Sequence, residues 1–172
     1  RHCVITSVNR DELPDGGAWM FSETVRQVRR LNPTCTIEVL IPDFEGNQQA
    51  LETVCAEKPD ILNHNIETVK RLFPAIRPQG KYQRSLNLLA EARQHGMKTK
   101  SGLIVGMGES LDEAREVMRD LRDVGERRMD VRHLGPEPQL AHARGVDHRP
   151  AARQQDQLPA ARGVPPAAVL GP

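Results

Sequence analysis

Short β-branched runs alternate with longer segments striped at helical spacing through most of this chain. That alternation constrains the fold more than any other feature of the sequence. Cys3-Val-Ile-Thr-Ser-Val8, Thr36-Ile-Glu-Val-Leu-Ile41, Ile61-Leu-Asn-His-Asn65 and Lys100-Ser-Gly-Leu-Ile-Val105 each read as a buried strand. Between them, Phe21, Val25, Val28 and Leu31 recur on one face of a first helix, and Ala50, Leu51, Val54 and Cys55 on a second. Leu86, Leu89 and Ala90 stripe a third helix ending at Gly96. Ser110-Leu-Asp-Glu113 is a capping-box pattern for a fourth, with Leu111, Ala114, Val117 or Met118, Leu121 and Val124 as its apolar face. Asn65 is placed to cap a further short helix running through Phe73, with Glu67 in its first turn. Four strand–helix units argue an α/β fold with a parallel sheet flanked by helices. No Gly-x-Gly-x-x-Gly follows the first strand, which favours a barrel over a doubly wound sheet. Chemistry in a barrel gathers at the C-terminal ends of the strands. This rule selects the loops 7–17, 42–46, 63–67 and 106–109.

Composition excludes several functions. The 24 Lys and Arg against 23 Asp and Glu leave a net charge of +1, with no electrostatic reason to expect nucleic acid or an anionic membrane. The longest apolar stretch, Gly102-Leu-Ile-Val-Gly-Met-Gly108, is too short to span a bilayer. Cys3, Cys35 and Cys55 are odd in number, far apart and free of any CxxC pairing, which fits a reducing cytoplasm. The chain opens on Arg1 rather than Met, the expectation for a fragment. All five aromatic residues precede position 83. From position 126 to 172 there is no Ser, Thr, Asn, Lys, Ile, Cys or aromatic residue, and the stretch carries seven of the thirteen prolines. The division expected is therefore 1–125 as βα units and 126–172 as a low-complexity tail. The tail is either disordered or the product of GC-rich DNA read in a wrong frame.

The strand-end loops hold the candidate site residues. In the first, Thr6, Ser7, Asn9 and Arg10 offer hydroxyls, an amide and a guanidinium, and N–H groups at Gly16 and Gly17 could hold a carboxylate at a helix start. The plainer alternative is a loop capped by its own aspartates. Asn63, Asn65 and Glu67 combine amides with a carboxylate able to accept from both vicinal hydroxyls of a ribose. His64 alternates to the opposite side and is expected to pack against a helix rather than ligate metal. Gly102, Ile104, Gly106 and Glu109 form a strand with glycines at both ends, where a flat purine could lie. Glycines of this kind also merely end strands. Arg26, Arg29, Arg30, Arg115, Arg119 and Arg122 read as solvated helix faces, and the three cysteines as small core residues.

These residues carry a resemblance. Val4-Ile-Thr-Ser-Val-Asn-Arg-Asp-Glu-Leu-Pro-Asp-Gly-Gly-Ala18 resembles the signature after the second strand of lipoyl synthases. Glu38-Val-Leu-Ile-Pro-Asp-Phe44, Asn63-His-Asn-Ile-Glu-Thr-Val69 and Lys100-Ser-Gly-Leu-Ile-Val-Gly-Met-Gly-Glu109 are similar to the same family in the same order. The resemblance covers residues 1–125. It implies a partial, incomplete radical S-adenosylmethionine (SAM) (β/α) barrel. It also implies a sulfurtransferase of lipoate biosynthesis that inserts sulfur at C6 and C8 of an octanoyl group on a lipoyl-carrier domain or protein, with an electron donor. Lipoyl synthases cleave SAM at one [4Fe-4S] cluster to form a hydrogen-abstracting 5′-deoxyadenosyl radical, and consume a second [4Fe-4S] cluster as sulfur donor. Carried over, Asn63, Asn65 and Glu67 would face the ribose and methionine portions of SAM. Gly102, Ile104, Gly106 and Glu109 would lie along adenine. The loop holding Thr6, Ser7, Asn9, Arg10, Gly16 and Gly17 would position SAM and the octanoyl chain.

The departures are as informative. The family's CxxxCxxC loop, its N-terminal three-cysteine motif and its C-terminal Arg-Ser-Ser-Tyr are absent, so no iron ligand is assigned in this chain and it is expected to be inactive as it stands. The likeness stops at Gly125, where the family continues with a strand reading approximately Val-Thr-Leu-Gly-Gln. Codons for Val131-Arg-His-Leu-Gly-Pro136, read one base later, can spell that strand, which supports the wrong-frame reading of the tail. The alternatives are another radical SAM enzyme or βα-barrel lyase, and a non-catalytic module that binds SAM or a nucleoside without clusters. With unpaired edges at the first and fourth strands, the chain is expected to aggregate.

Overall fold

The computed structural model describes residues 1–126 and 128–134; within them the chain forms a single parallel sheet with helices between successive strands. The strands are β1 (His2–Thr6), β2 (Thr36–Leu40), β3 (Ile61–Asn63), β4 (Thr99–Val105) and β5 (Met129–His133). The helices are α1 (Ala18–Leu31), α2 (Gln48–Ala56), α3 (Phe73–Ile76), α4 (Tyr82–Gln94) and α5 (Leu111–Asp123), with a 3₁₀ turn at Phe44–Gly46. Spatial order follows chain order, β1-β2-β3-β4-β5, with every pairing parallel. A doubly wound sheet reverses its strand order at a switch point. This sheet never does, so it is an arc of a (β/α) barrel, open between β1 and β5, as the sequence implies.

One face of the arc is apolar. Phe21 and Val25 of α1, Leu51 and Val54 of α2, and Leu88 of α4 pack with Ile37, Val39 and Leu62 of β2 and β3, all under 7% exposed. A second cluster joins Leu86 and Leu89 of α4, Val117 and Leu121 of α5 and Leu103 of β4 with Ile66, Val69 and Phe73. Period-two alternation sends these side chains toward the helices and leaves Glu38, Asn63, Lys100 and Gly102 on the other face.

Several expectations change. The strand drawn over 3–8 ends at Thr6, and the one drawn over 61–65 ends at Asn63. The helix expected from Asn65 through Phe73 does not form. Glu67 instead extends the sheet: its N–H donates to the Gly102 carbonyl at 2.9 Å, and its carbonyl accepts from Ile104 N–H at 2.7 Å. Glu67 sits at φ 66°, which no helix tolerates. Helix formation waits until α3, where Pro74 falls in the first turn and lacks only an N–H that needs no intrahelical partner. Leu111, drawn on the apolar face of α5, is 59% exposed. Cys3 and Cys35 are half-buried rather than core; Cys55 is buried. Past Gly125, β5 pairs Ser101–Val105 with Met129–His133, inside the stretch assigned by sequence to the tail. Among the described residues the free edges are therefore β1 and β5, not β4. The rest of the tail lies outside the described residues.

Candidate functional site

Two cavities open where barrel chemistry is expected. One, of about 320 Å³, lies at the C-terminal strand ends and includes Thr6, Ser7, Asn9, Asp43, Arg77 and Arg84 in its walls. The other, of about 380 Å³, lies on the polar face of the sheet against Glu38, Asn63, Lys100, Gly102 and Ile104. They share Leu40, Asn65 and Glu67. Each is within the size range of small-molecule sites.

Of the residues expected at the ribose end, Asn65 and Glu67 stand at this junction. The Asn65 carbonyl accepts from Arg77 Nη1 at 3.1 Å, and the Arg77 guanidinium lies 5.5 Å from the centre of the Phe73 ring. Asn63 sits two residues deeper. Its Nδ2 donates to Glu38 Oε1 at 3.2 Å, while its buried Oδ1 has no hydrogen-bond partner among the described residues. Glu67 is held at its left-handed φ by its two backbone bonds to β4. His64 points the other way, as alternation requires. Its Nδ1–H donates to the Ile41 carbonyl and its Nε2 accepts from the Ser85 hydroxyl of α4, each at 2.9 Å. Burial, the largest influence on it, lowers its pKa to about 4, so the ring is neutral.

The first loop divides. Thr6, Ser7 and Asn9 line the upper cavity. Arg10, Gly16 and Gly17 line neither of the two. Arg10 pairs with Glu12 at 3.3 Å. The carboxylate site offered at Gly17 is filled by the chain itself: Asp15 accepts from Trp19 N–H at 2.8 Å and Gly17 N–H at 3.0 Å, and these bonds lower its pKa. Gly16 has a packing reason, since a Cβ there would meet the Phe44 ring at 2.9 Å.

The glycine strand divides too. Gly102 and Ile104 line the lower cavity; Gly106 and Glu109 line neither. A side chain on Gly106 would collide with the Leu134 carbonyl, and φ there is 98°. Glu109 closes the following loop, accepting from Gly106 N–H at 2.5 Å and Met107 N–H at 2.9 Å. Burial opposes its charge, but these bonds outweigh it and hold the carboxyl below its usual range.

Sequence reasoning missed a charged layer under the lower cavity. Lys100 Nζ lies 3.1 Å from Glu38 Oε1 and 2.9 Å from Asp130 Oδ2, and His2 Nε2 lies 3.5 Å from Glu38 Oε2. Desolvation works against the ammonium, yet Asp130 and Glu38 prevail and raise its pKa. The signal was present: Glu38 interrupts the β-branched run Thr36-Ile-Glu-Val-Leu-Ile41 at an inward position. Arg77 and the Asp43–Arg84 pair, 2.7 Å apart, left no comparable trace.

Iron–sulfur ligation is not built by these residues. Among the described residues no three His, Cys, Asp or Glu side chains gather as a metal site. Burial first, then Glu52, pushes the Cys55 thiol up to about 11, so it is not the thiolate a cluster needs. The lining has the donor set that a nucleoside carrying an amino-acid tail would need: the two cavities meet at the Asn65 amide and at the Glu67 carboxylate, which has no ion-pair partner among the described residues. No helix of the described residues is long and apolar enough to cross a membrane.

An all-parallel arc with a polar pocket at its strand ends and a glycine strand along it defines a class. The sequence profile of the Radical SAM superfamily matches residues 1–121, and the chain belongs to that superfamily. Its curated relatives narrow the likeness. Over 125 residues, 73% of the chain, it is 54% identical to a lipoyl synthase of Mycolicibacterium smegmatis and 58% identical to one of Leptospira interrogans, covering 40% and 42% of those proteins. A lipoyl synthase of Rubrobacter xylanophilus is 58% identical over 137 residues, 78% of the chain and 42% of that protein. The likeness read from the strand-end motifs is borne out, and the chain spans about two fifths of the length of the curated relatives it matches.

Proposed function

We propose that this chain is the central, SAM-binding part of a lipoyl synthase. The observation that carries the reading is that Asn65 and Glu67 stand where the strand-end cavity meets the cavity on the polar face of the sheet. Glu67 accepts from the ribose hydroxyls, and the Asn65 amide donates and accepts beside it. Ile104 gives the adenine an apolar wall, and the upper cavity, with Thr6, Ser7, Asn9 and Arg77, takes the methionine tail. Gly106 and Glu109 act on adenine only indirectly, by shaping the end of β4. Arg10, Gly16 and Gly17 shape the first loop on which the octanoyl chain of a lipoyl-carrier protein rests. In a complete lipoyl synthase, SAM reduced at a cluster would supply the radical that unactivated C–H bonds require, with the electron coming from a donor protein. The described residues provide no cluster ligands, so this chain binds SAM without turning it over. The setting is cytoplasmic, and the stretch 126–172 is the product of a wrong reading frame.

Glu67→Gln tests the site. Loss of a charged acceptor costs about 1.5–3 kcal/mol, or about 10–100-fold in SAM affinity by calorimetry. Unchanged affinity would remove Glu67 from the site. The absence of a thiol cluster among the described residues favours one second reading, a non-catalytic nucleoside-binding relative. A longer gene product that carries CxxxCxxC and forms lipoyl groups on an octanoylated carrier would exclude it.

A further inference from the structure

Gly102 is the one motif glycine whose backbone does not call for glycine. Its φ lies outside the left-handed region, unlike that of Gly106 or Gly108. A side chain there would contend with Asn65 for space. A Cβ built on Gly102 would stand 2.6 Å from Asn65 Oδ1, 3.0 Å from Cγ and 3.6 Å from Nδ2. The whole Asn65 amide therefore rests where the side chain of residue 102 would be. The main chain around that amide is fixed. On one side Arg77 Nη1 donates to the Asn65 backbone carbonyl. On the other, the pairing of Glu67 with Gly102 and Ile104 fixes the two strands relative to each other at this level. With the main chain held by those bonds, an added methyl is relieved by the Asn65 side chain swinging off its place.

We propose that Gly102 is a positioning residue: it seats the Asn65 amide and acts on the nucleoside through Asn65, rather than by letting a base lie against a bare strand. This rests on the reading of Asn65 as a nucleoside contact. It differs from the expectation drawn from the glycine pattern, in which the space at residue 102 belongs to the purine. In this structure the space belongs to Asn65.

A double-mutant cycle on the 172-residue chain decides between the two. The four proteins are the parent, Gly102→Ala, Asn65→Ala and the pair, with S-adenosylhomocysteine as the calorimetric probe. If glycine acts through Asn65, Gly102→Ala weakens binding about tenfold in the parent and less than about twofold once Asn65 is alanine. Equal factors in both backgrounds overturn the proposal, because the methyl then meets the base directly. Unchanged binding in Asn65→Ala overturns the nucleoside reading and the proposal with it. Urea midpoints of the same four proteins separate these failures. Coupling in stability without coupling in binding keeps the seat and removes its ligand role; coupling in neither removes the seat. Should Gly102→Ala alone not fold, the pair carries the test. The seat requires the pair to fold and bind as Asn65→Ala does, and an unfolded pair overturns it.

Discussion

His64 shows how one residue can tie a site to its scaffold. Its ring joins the carbonyl that follows β2 to a hydroxyl of α4 while its neighbours Asn63 and Asn65 face the opposite side. Its pKa in the fold, about 4, lies below the ordinary 6.5, so the unfolded chain takes the proton first as pH falls. The stability held by the neutral ring is intact above about pH 6.5 and drains away toward pH 4, by roughly 3 kcal/mol in all. Urea titrations should show this loss beginning well above the range in which Asp15, Glu57 and Glu109, whose pKa values are lowered, pick up protons. His64→Gln should flatten the upper part of the profile; an equally steep profile in that variant would assign the loss to other groups. Side-chain direction was legible here from alternation alone. Partners were not, because Ser85 is 21 positions away and no pattern links it to His64.

At the scale of elements, α5 was the most legible and the segment after β3 the least. Ser110 and Glu113 form the reciprocal cap that their spacing foretells: Glu113 N–H donates to Ser110 Oγ at 3.2 Å, and Ser110 N–H to Glu113 Oε2 at 2.8 Å. Arg71, the largest influence, and the Ser110 backbone hold the Glu113 carboxyl down to about 2. Ser110→Ala should therefore cost about 1 kcal/mol and speed hydrogen exchange in the first turn of α5 while leaving α4 unchanged. Exchange that stays slow there would show that Arg71 alone secures the helix start. The residues after β3 misled because Asn65 followed by Glu67 satisfies a local rule for starting a helix. A non-local bond to Gly102 outweighs that rule, and only the neighbouring strand reveals it. Likewise β5 was invisible in a composition poor in β-branched residues; the open edge of β4 supplies the backbone partners that the local sequence does not advertise.

At the scale of the whole sheet, its two edges decide how the chain behaves toward others. Among the described residues β1 and β5 each present an unpaired parallel edge, and Val4 at 53% and Val131 at 48% leave apolar surface beside them. The chain should associate with itself in proportion to its concentration, visible as a sedimentation coefficient that falls on dilution. A single concentration-independent species of monomer mass would mean that these edges are already protected. The same arrangement has a consequence for how the fold is acquired. Each strand pairs with the strand next in sequence, so every closure spans one strand–helix unit and none waits for a distant partner. Assembly can run stepwise from N- to C-terminus during synthesis. A further unit joined to either edge would extend the arc without unthreading what has already formed.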